Sequence, residues 1–186
     1  LRYRLFLVQS VRVVNDDLFI LTLDASFPVK AGQFFFIYIP GKGEKPFSPC
    51  DDDPVEFIIR KVGRFTEVLS SLKKGNKVYL RGPYGNGFPA LDSADLVIIA
   101  GGTGIAPLKL VAKRRNVKAI VVGLSDDSEK PVASIFMKFC KTVFLAIDKE
   151  GEKGRIVKKI RKLLIGKKLP ESAIYFICGP PKMTEE

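Results

Sequence analysis

The 186-residue chain contains no histidine and no tryptophan, and only three cysteines. Without histidine it cannot use Ser-His-Asp or Cys-His catalysis, and it cannot form a histidine-ligated zinc site. Cys50, Cys140 and Cys178 stand far apart with no Cys-x-x-Cys pair. They predict neither a disulfide framework nor a four-ligand metal site, so we expect metal ligands to be absent from this chain. Unpaired cysteines are typical of a reducing compartment, and we expect a cytoplasmic protein.

Long apolar runs are missing too, because no stretch approaches the roughly 20 apolar residues of a membrane helix. Acidic residues are the minority charge, with 20 Asp+Glu against 31 Lys+Arg and a formal net charge of +11. Such an excess can serve an anionic cofactor, a nucleic acid or an acidic protein partner, or it can be a solvated surface. Many of the cations share the segment 155–164 with apolar residues at helical spacing. No aromatic residue is interleaved there, so we expect no nucleic-acid partner.

Residues 1–90 have a strand-like pattern rich in β-branched and aromatic residues, punctuated by Gly, Pro, Asn and Asp. One short helix is predicted at 66–72, with Val68, Leu69 and Leu72 on one face. Several short strands with a single helix predict a small antiparallel β-barrel. The predicted strands are 3–14, 18–24, 33–40, 55–62 and 77–81.

Residues 91–186 change to alternating strands and helices, which predicts a parallel α/β sheet covered on both faces. Strands are predicted at 96–100, 119–123, 142–147 and 173–178, and helices at 105–115, about 132–139 and 155–164. The boundary between the two halves is expected within 88–94. We also expect the chain to be part of a longer protein, because a helix predicted to begin at Pro180 is cut short at Glu186.

Three segments of the second half predict a nucleotide site. The sequence Gly-Gly-Thr-Gly-Ile-Ala-Pro at 101–107 follows a buried strand and opens a helix, where an α/β fold places a phosphate-binding loop. Asp126 and Asp127 follow the next strand, where an acid can bind ribose hydroxyls and repel a 2′-phosphate. Cys178 and Gly179 end the last strand. Each also has a plain interpretation, as a glycine turn, an Asp-Asp-Ser turn and an inert core cysteine.

Two segments of the first half predict an anion site. Lys45, Pro46, Phe47 and Ser48 offer a cation, a ring and a hydroxyl in succession. The segment 63–66 precedes the lone helix, so its N–H groups and the Thr66 hydroxyl can face an anion. Taken separately, each segment is also compatible with an ordinary turn.

Together these motifs resemble the ferredoxin–NADP reductase superfamily. The resemblance rests on the order Lys-Pro-Phe-Ser, Gly-x-x-Thr, Arg-Gly-Pro-Tyr-Gly-Asn-Gly at 81–87, Gly-Gly-Thr-Gly-Ile-Ala-Pro and Cys-Gly-Pro-Pro, which covers essentially the whole chain. The chain looks closest to the branch that contains the dihydroorotate dehydrogenase electron-transfer subunit and sulfhydrogenase gamma subunits. The resemblance implies an FAD-binding β-barrel domain at 1–90 and an NAD-binding α/β domain at 91–186.

The resemblance also implies roles for individual residues. Ser48, near flavin N5, and Cys178, beside the nicotinamide, would be the catalytic residues. Lys45 stands where the family has arginine and would meet the flavin phosphates without a bidentate fork. The implied cofactor-binding residues are Lys45, Pro46, Phe47, Ser48, Ile58, Ile59, Arg60, Gly63, Phe65, Thr66, Gly102, Thr103, Gly104, Asp126, Cys178 and Gly179.

The implied activity is electron transfer between NAD(H) and an iron–sulfur centre or partner oxidoreductase subunit through FAD, as in pyrimidine biosynthesis. The implied partner is a catalytic subunit like dihydroorotate dehydrogenase or hydrogenase. Branch members bind a 2Fe-2S cluster in a cysteine-rich C-terminal segment, so a cluster is expected only if such a segment follows Glu186. The alternatives are a stand-alone NAD(P)H:flavin or ferric reductase without a cluster, and a non-catalytic binding module.

Overall fold

The computed structural model describes residues 2–90, 95–147 and 155–184. It divides into two compact units, Leu1–Pro89 and Ala90–Glu186, which we name the β unit and the α/β unit. The predicted boundary at 88–94 falls partly on residues 91–94, which lie outside the described residues.

The β unit is one antiparallel sheet of seven strands in the order β4-β3-β7-β1-β2-β6-β5. Its strands are β1 Arg4–Val13, β2 Leu18–Leu23, β3 Phe34–Ile39, β4 Gly43–Phe47, β5 Asp51–Asp52, β6 Val55–Arg60 and β7 Lys77–Tyr84. Burial alternates along β3, where Phe35, Ile37 and Ile39 face the core. This two-residue period is what the pleat of a strand imposes on a sheet with one buried face.

Strand β1 joins the two halves of this sheet. Its first part pairs with β7 and its second part pairs with β2, with a register shift between Val8 and Ser10. A bulge of this kind bends a strand, so the two halves can fold around one core. That core draws fully buried side chains from both halves, among them Phe35 and Phe57. The helix α1 Arg64–Ser70 packs Leu69 into the same core, with Val68 and Leu72 partly buried beside it, as the sequence pattern predicted.

The α/β unit is a four-stranded parallel sheet in the order β10-β9-β8-β11. Its elements are β8 Leu96–Gly101, α2 Ile105–Arg114, β9 Val117–Leu124, α3 Lys130–Ala133, β10 Val143–Ile147, α4 Arg155–Ile165, β11 Ile174–Cys178 and α5 Pro181–Thr184. In α4, Ile156 and Leu163 are buried against the sheet. The predicted fold class, an antiparallel β domain followed by a parallel α/β domain, is confirmed.

Three local predictions differ from the structure. The segments 43–47 and 51–52 form strands that the pattern did not indicate. Strand β7 runs on to Tyr84, where it pairs with Phe34, although the predicted strand ended at Arg81. The helix predicted at about 132–139 is α3 followed by a tight 3₁₀ turn at Ser134–Lys138. There the Ser134 hydroxyl donates to the carbonyl of Pro131 at 2.8 Å, a local bond that competes with a regular helix.

Candidate functional site

Strand β4 carries Lys45 and Phe47 on the side of the sheet that faces the core. Its register pairs Lys45 with Ile37 and Phe47 with Phe35, and both partners are fully buried. Residues directly opposite in an antiparallel pair lie on the same face, so Lys45 and Phe47 share the inner face at the rim. Lys45 is exposed, while Phe47 is partly buried against the core. Pro46 points to the other face, and the partly buried Ser48 follows the strand.

The start of α1 meets this strand. The rings of Phe47 and Phe65 are nearly parallel, with an interplanar angle of 14° and centroids 6.3 Å apart. Phe65 lies in the first turn of α1, directly after Gly63 and Arg64. The structure therefore brings together the 45–48 and 63–66 segments, each of which, taken separately, was also compatible with an ordinary turn.

The Thr66 hydroxyl fixes the backbone at the start of α1. It donates to the carbonyl of Gly63 at 2.8 Å and accepts from the N–H groups of Val62 at 3.0 Å and Gly63 at 3.3 Å. The proton of this hydroxyl is thus directed at protein, and an anion here would meet first-turn N–H groups, which lack partners within the helix. Space for it exists at Gly63, because a Cβ built there would contact nothing within 4 Å.

The predicted residues of β6 differ in what they offer a ligand. The side chain of Ile59 is 1% exposed and belongs to the core of the β unit, so only its backbone is available. Ile58 is also buried, and Arg60 is partly exposed at the end of the strand.

In the α/β unit, the three predicted nucleotide segments all lie at the carboxyl edge of the sheet. The chain moves from β8 outward to β9 and β10, and then returns to β11 on the other side of β8. The point between β8 and β11 is therefore the place where strand order reverses, which is where open α/β sheets bind ligands. The 101–107 segment runs from the last residue of β8 into α2, and Cys178 and Gly179 lie at the end of β11, so both segments lie at this point. Asp126 follows β9, the neighbour of β8 on the other side.

Gly104 presses directly on the end of β11. A Cβ on Gly104 would lie 2.2 Å from the carbonyl oxygen of Cys178 and 2.8 Å from the nitrogen of Gly179. Both atoms are backbone, so no side chain can be accommodated without moving a strand end. The absent side chain thus lets the two loops close on each other. Gly102, by contrast, has φ +53° and nothing closer than 3.8 Å to its built Cβ, and Thr103 is exposed.

Met183 completes this contact, although no sequence motif indicated a role for it. Built Cβ atoms on Gly101 and Gly179 would lie 2.3 Å and 2.8 Å from the Met183 sulfur. Met183 therefore occupies the groove left by the two glycines and fastens α5 to the ends of β8 and β11. Its position five residues beyond a predicted strand end gives no periodic indication of this contact.

Cys178 is partly buried, and this burial raises the pKa of its thiol. A thiol with a raised pKa stays protonated near neutral pH and is a poor nucleophile. This agrees with a packing role beside a ligand and not with covalent chemistry.

Asp126 is exposed and organises its own loop. Its Oδ1 accepts from the Ser128 N–H at 2.7 Å and from the Ser128 hydroxyl, and so caps the 3₁₀ turn at Asp127–Glu129. The buried Glu129 accepts from the N–H of Ser125 at 2.9 Å, which fixes the other end of the loop. Asp127 pairs with Lys130 at 2.6 Å. Asp126 is therefore presented on a tightly bonded turn at the edge of the sheet.

A polar network on the outer face of the β unit was also missed. The guanidinium of Arg81 donates Nη2 to Glu44 Oε1 at 2.6 Å and Nε to Glu44 Oε2 at 2.9 Å. Nη1 donates to the Tyr84 hydroxyl at 3.2 Å, and Nε is also 3.2 Å from the Tyr3 hydroxyl, which itself donates to Glu44. The hydrogen bonds from Arg81, followed by the one from Tyr3, lower the pKa of Glu44 to about 2.

Among the described residues, no group of three or more Cys, Asp or Glu side chains is arranged to hold a metal ion. In the same part of the chain, no helix has the length and apolar character needed to cross a membrane.

No protein-family model matches the chain, but known proteins with similar sequences do. A probable dihydroorotate dehydrogenase B (NAD(+)), electron transfer subunit from Pyrococcus abyssi is 33% identical over 153 residues, covering 82% of this chain. The sulfhydrogenase 1 subunit gamma of Pyrococcus furiosus is 49% identical over 88 residues, covering 44% of this chain and 30% of that protein. The homologues of this chain are electron transfer subunits of dihydroorotate dehydrogenase B and gamma subunits of sulfhydrogenase. The predicted resemblance is confirmed.

Solved structures agree on the fold. A structure of the NADH-dependent reduced ferredoxin-NADP oxidoreductase matches with a TM-score of 0.79 and covers 98% of this chain and 70% of that one. At 23% identity, this likeness concerns the fold alone. The chain spans 60% of the length of the Pyrococcus abyssi relative.

Proposed function

We propose that this chain is the flavoprotein part of an electron-transfer subunit that passes electrons between NAD(H) and a partner oxidoreductase through FAD. The contact of Gly104 with Cys178 and Gly179 carries this proposal, because it brings the glycine-rich segment against the end of β11 where strand order reverses, the place at which open α/β sheets bind ligands. The named functions of the homologues support it.

The residues at the rim of the β unit suit a flavin dinucleotide. Lys45 provides a cation for a phosphate, Phe47 and Phe65 provide ring surface, and the open space at Gly63 admits an anion beside the first turn of α1. Ser48 would lie near flavin N5, and Ile58, Ile59 and Arg60 would border the cofactor, Ile59 through its backbone. Bound FAD supplies the ability to accept two electrons as hydride from NADH and to release them singly.

The α/β unit would hold NADH. Gly102, Thr103 and Gly104 would receive the pyrophosphate at the start of α2, where N–H groups and the helix dipole favour an anion. Asp126 would accept from the ribose hydroxyls and repel a 2′-phosphate. Cys178 and Gly179 would pack beside the nicotinamide, with the protonated thiol acting as an apolar surface.

The partner would be a catalytic oxidoreductase subunit, because the homologues are named as subunits of dihydroorotate dehydrogenase B and sulfhydrogenase. The net charge of +11 favours an acidic docking face on that partner. An iron–sulfur centre that accepts the electrons would belong to the partner or to a 2Fe-2S segment following Glu186.

An absorption spectrum of the purified full-length protein tests the proposal. We expect flavin bands near those of free FAD that are bleached on anaerobic addition of NADH, with iron–sulfur absorption in addition if the protein itself carries the cluster. Flavin without iron–sulfur bands would be compatible with a cluster on the partner and with a stand-alone NAD(P)H:flavin or ferric reductase, and rapid reduction of free flavin or ferric iron by NADH would identify the reductase. The absence of both flavin and iron–sulfur bands would support a non-catalytic binding module and contradict the proposal.

A further inference from the structure

Arg81 joins strands that are not neighbours in the sheet. It lies on β7, and Glu44 lies on β4, with β3 between them. The guanidinium crosses β3 over the ring of Phe36, with Cζ 3.8 Å from the ring centroid, and ends in two hydrogen bonds to the Glu44 carboxylate. The planar fork and the flat ring suit each other, since arginine both stacks and binds a carboxylate through two donors.

The strand held in this way has little other support. Among the described strands β4 ends the sheet, so β3 is its single hydrogen-bonded neighbour. The Arg81 and Glu44 side chains are only 18% and 29% exposed, which shields their interaction from solvent. Arg81 is therefore a second tether on β4, independent of the backbone ladder.

Glu44 and Lys45 are adjacent residues on opposite faces of β4. Glu44 pairs with Tyr38 on the outer face, and Lys45 pairs with the buried Ile37 on the inner face. Because successive strand side chains alternate, fixing Glu44 from outside also fixes where Lys45 and Phe47 point. A one-residue slip of β4 would place Glu44 on the inner face, against the cofactor phosphates.

We propose that Arg81, acting through Glu44, is a positioning residue that holds Lys45 and Phe47 in place for FAD. This inference rests on the proposed role of β4 in binding FAD. Arg81 touches no part of that site itself, so its effect must pass through the backbone of β4.

The test measures FAD affinity by titrating full-length apoprotein and following flavin fluorescence. Arg81→Met keeps an apolar stem over Phe36 and removes the fork, and we expect about tenfold weaker FAD binding. Arg81→Lys keeps the charge and should recover only part of this loss. The matched control is Lys77→Met, which removes a cation from the same strand outside the network, and it should change the dissociation constant less than about twofold.

A double-mutant cycle separates positioning from general loosening. Lys45→Met in the wild-type background should weaken FAD binding about tenfold, but in the Arg81→Met background only about twofold, because Lys45 is then already misplaced. A structural role alone lowers the melting temperature and leaves the Lys45 effect unchanged. If Arg81→Met fails to fold by circular dichroism, Glu44→Gln replaces it in the same cycle.

The outcomes are distinct. A Lys45→Met effect that shrinks in the Arg81→Met or Glu44→Gln background supports the inference. If the wild type binds FAD and the losses of affinity in the two single variants simply multiply in the double variant, this inference is overturned and the proposed function stays intact. A wild-type protein that binds no FAD overturns both.

Discussion

Replacement of Gly104 by alanine is predicted to separate the start of α2 from the end of β11 in the α/β unit. The added Cβ would lie 2.2 Å from the carbonyl oxygen of Cys178, 2.5 Å from its carbonyl carbon and 2.8 Å from the nitrogen of Gly179. Carbon atoms do not approach backbone this closely, and no flexible side chain can move aside. Relief requires the start of α2 and the end of β11 to move apart.

The sign of the effect distinguishes packing from conformation. Gly104 has φ −60° and ψ −15°, an ordinary right-handed conformation in which alanine is favoured over glycine by about 0.5–1 kcal/mol. Overpacking a close-packed contact costs about 1–3 kcal/mol, and more where both sides are backbone. We therefore expect Gly104→Ala to lower the free energy of unfolding of the α/β unit by about 2 kcal/mol and to weaken NADH binding.

Urea unfolding followed by circular dichroism, without nucleotide, measures the effect. The two units are fitted as separate transitions, because a two-unit chain is not expected to unfold in one step. The matched control is Gly63→Ala, where the built Cβ contacts nothing within 4 Å and the backbone is extended. The control should keep its stability within about 0.5 kcal/mol. A Gly104→Ala protein as stable as the wild type, or more stable, would refute the steric argument.

Three further predictions concern specificity, acid sensitivity and thiol reactivity. The specificity constant for flavin reduction should be at least about tenfold higher with NADH than with NADPH, and Asp126→Asn should bring the two constants closer together. Equal specificity constants in the wild type would show that Asp126 does not face the ribose. With the pKa of Glu44 lowered to about 2, its contribution to stability is present above its ordinary value of 4.5 and is lost as pH falls through about 2. An NMR titration of the Glu44 carboxyl should show the lowered pKa, and in Arg81→Met the midpoint of this titration should return toward 4.5. Finally, burial raises the pKa of Cys178, so alkylation of the folded protein should be slow at neutral pH and accelerate above pH 9; rapid labelling of this residue at pH 7 would contradict the assignment.

The fold was largely predictable because its determinants are periodic and local. Short apolar runs in the second half alternate with helical patterns, and every strand predicted there is present. Strand β4 was missed because Gly43–Phe47 contains glycine, proline and two charged residues and lacks an apolar alternation. It is a strand because β3 offers it a complete edge to pair with, which is a tertiary cause that a local pattern does not contain.

The candidate sites were predictable to different degrees for the same reason. The glycines of the 101–107 loop are visible as a motif, and the structure adds the partner against which Gly104 packs. The partner of Arg81 lies 37 residues away in the sequence, on a strand that was not predicted. Pairing at that separation leaves no periodic trace, so the Arg81–Glu44 network was invisible even though Arg81 was part of a recognised motif.

The α/β unit and the β unit differ in which of their positions restrict substitution. In the α/β unit, Gly104 packs on the backbone at the end of β11, and Met183 fills the space beside Gly101 and Gly179. A side chain at Gly104 would collide with backbone, whereas one at Gly101 or Gly179 would meet the flexible end of Met183, so Gly104 is the most restricted of the three positions. In the β unit, strand β4, which we propose binds FAD, ends the described sheet, and on its outer face Glu44 is hydrogen-bonded to Arg81. Its restricted positions therefore include residues that no ligand touches. Since the Lys45 side chain lacks the rigid fork of arginine, its placement depends more on the strand that carries it. That dependence is the physical reason to expect coupling between the inner and outer faces of β4.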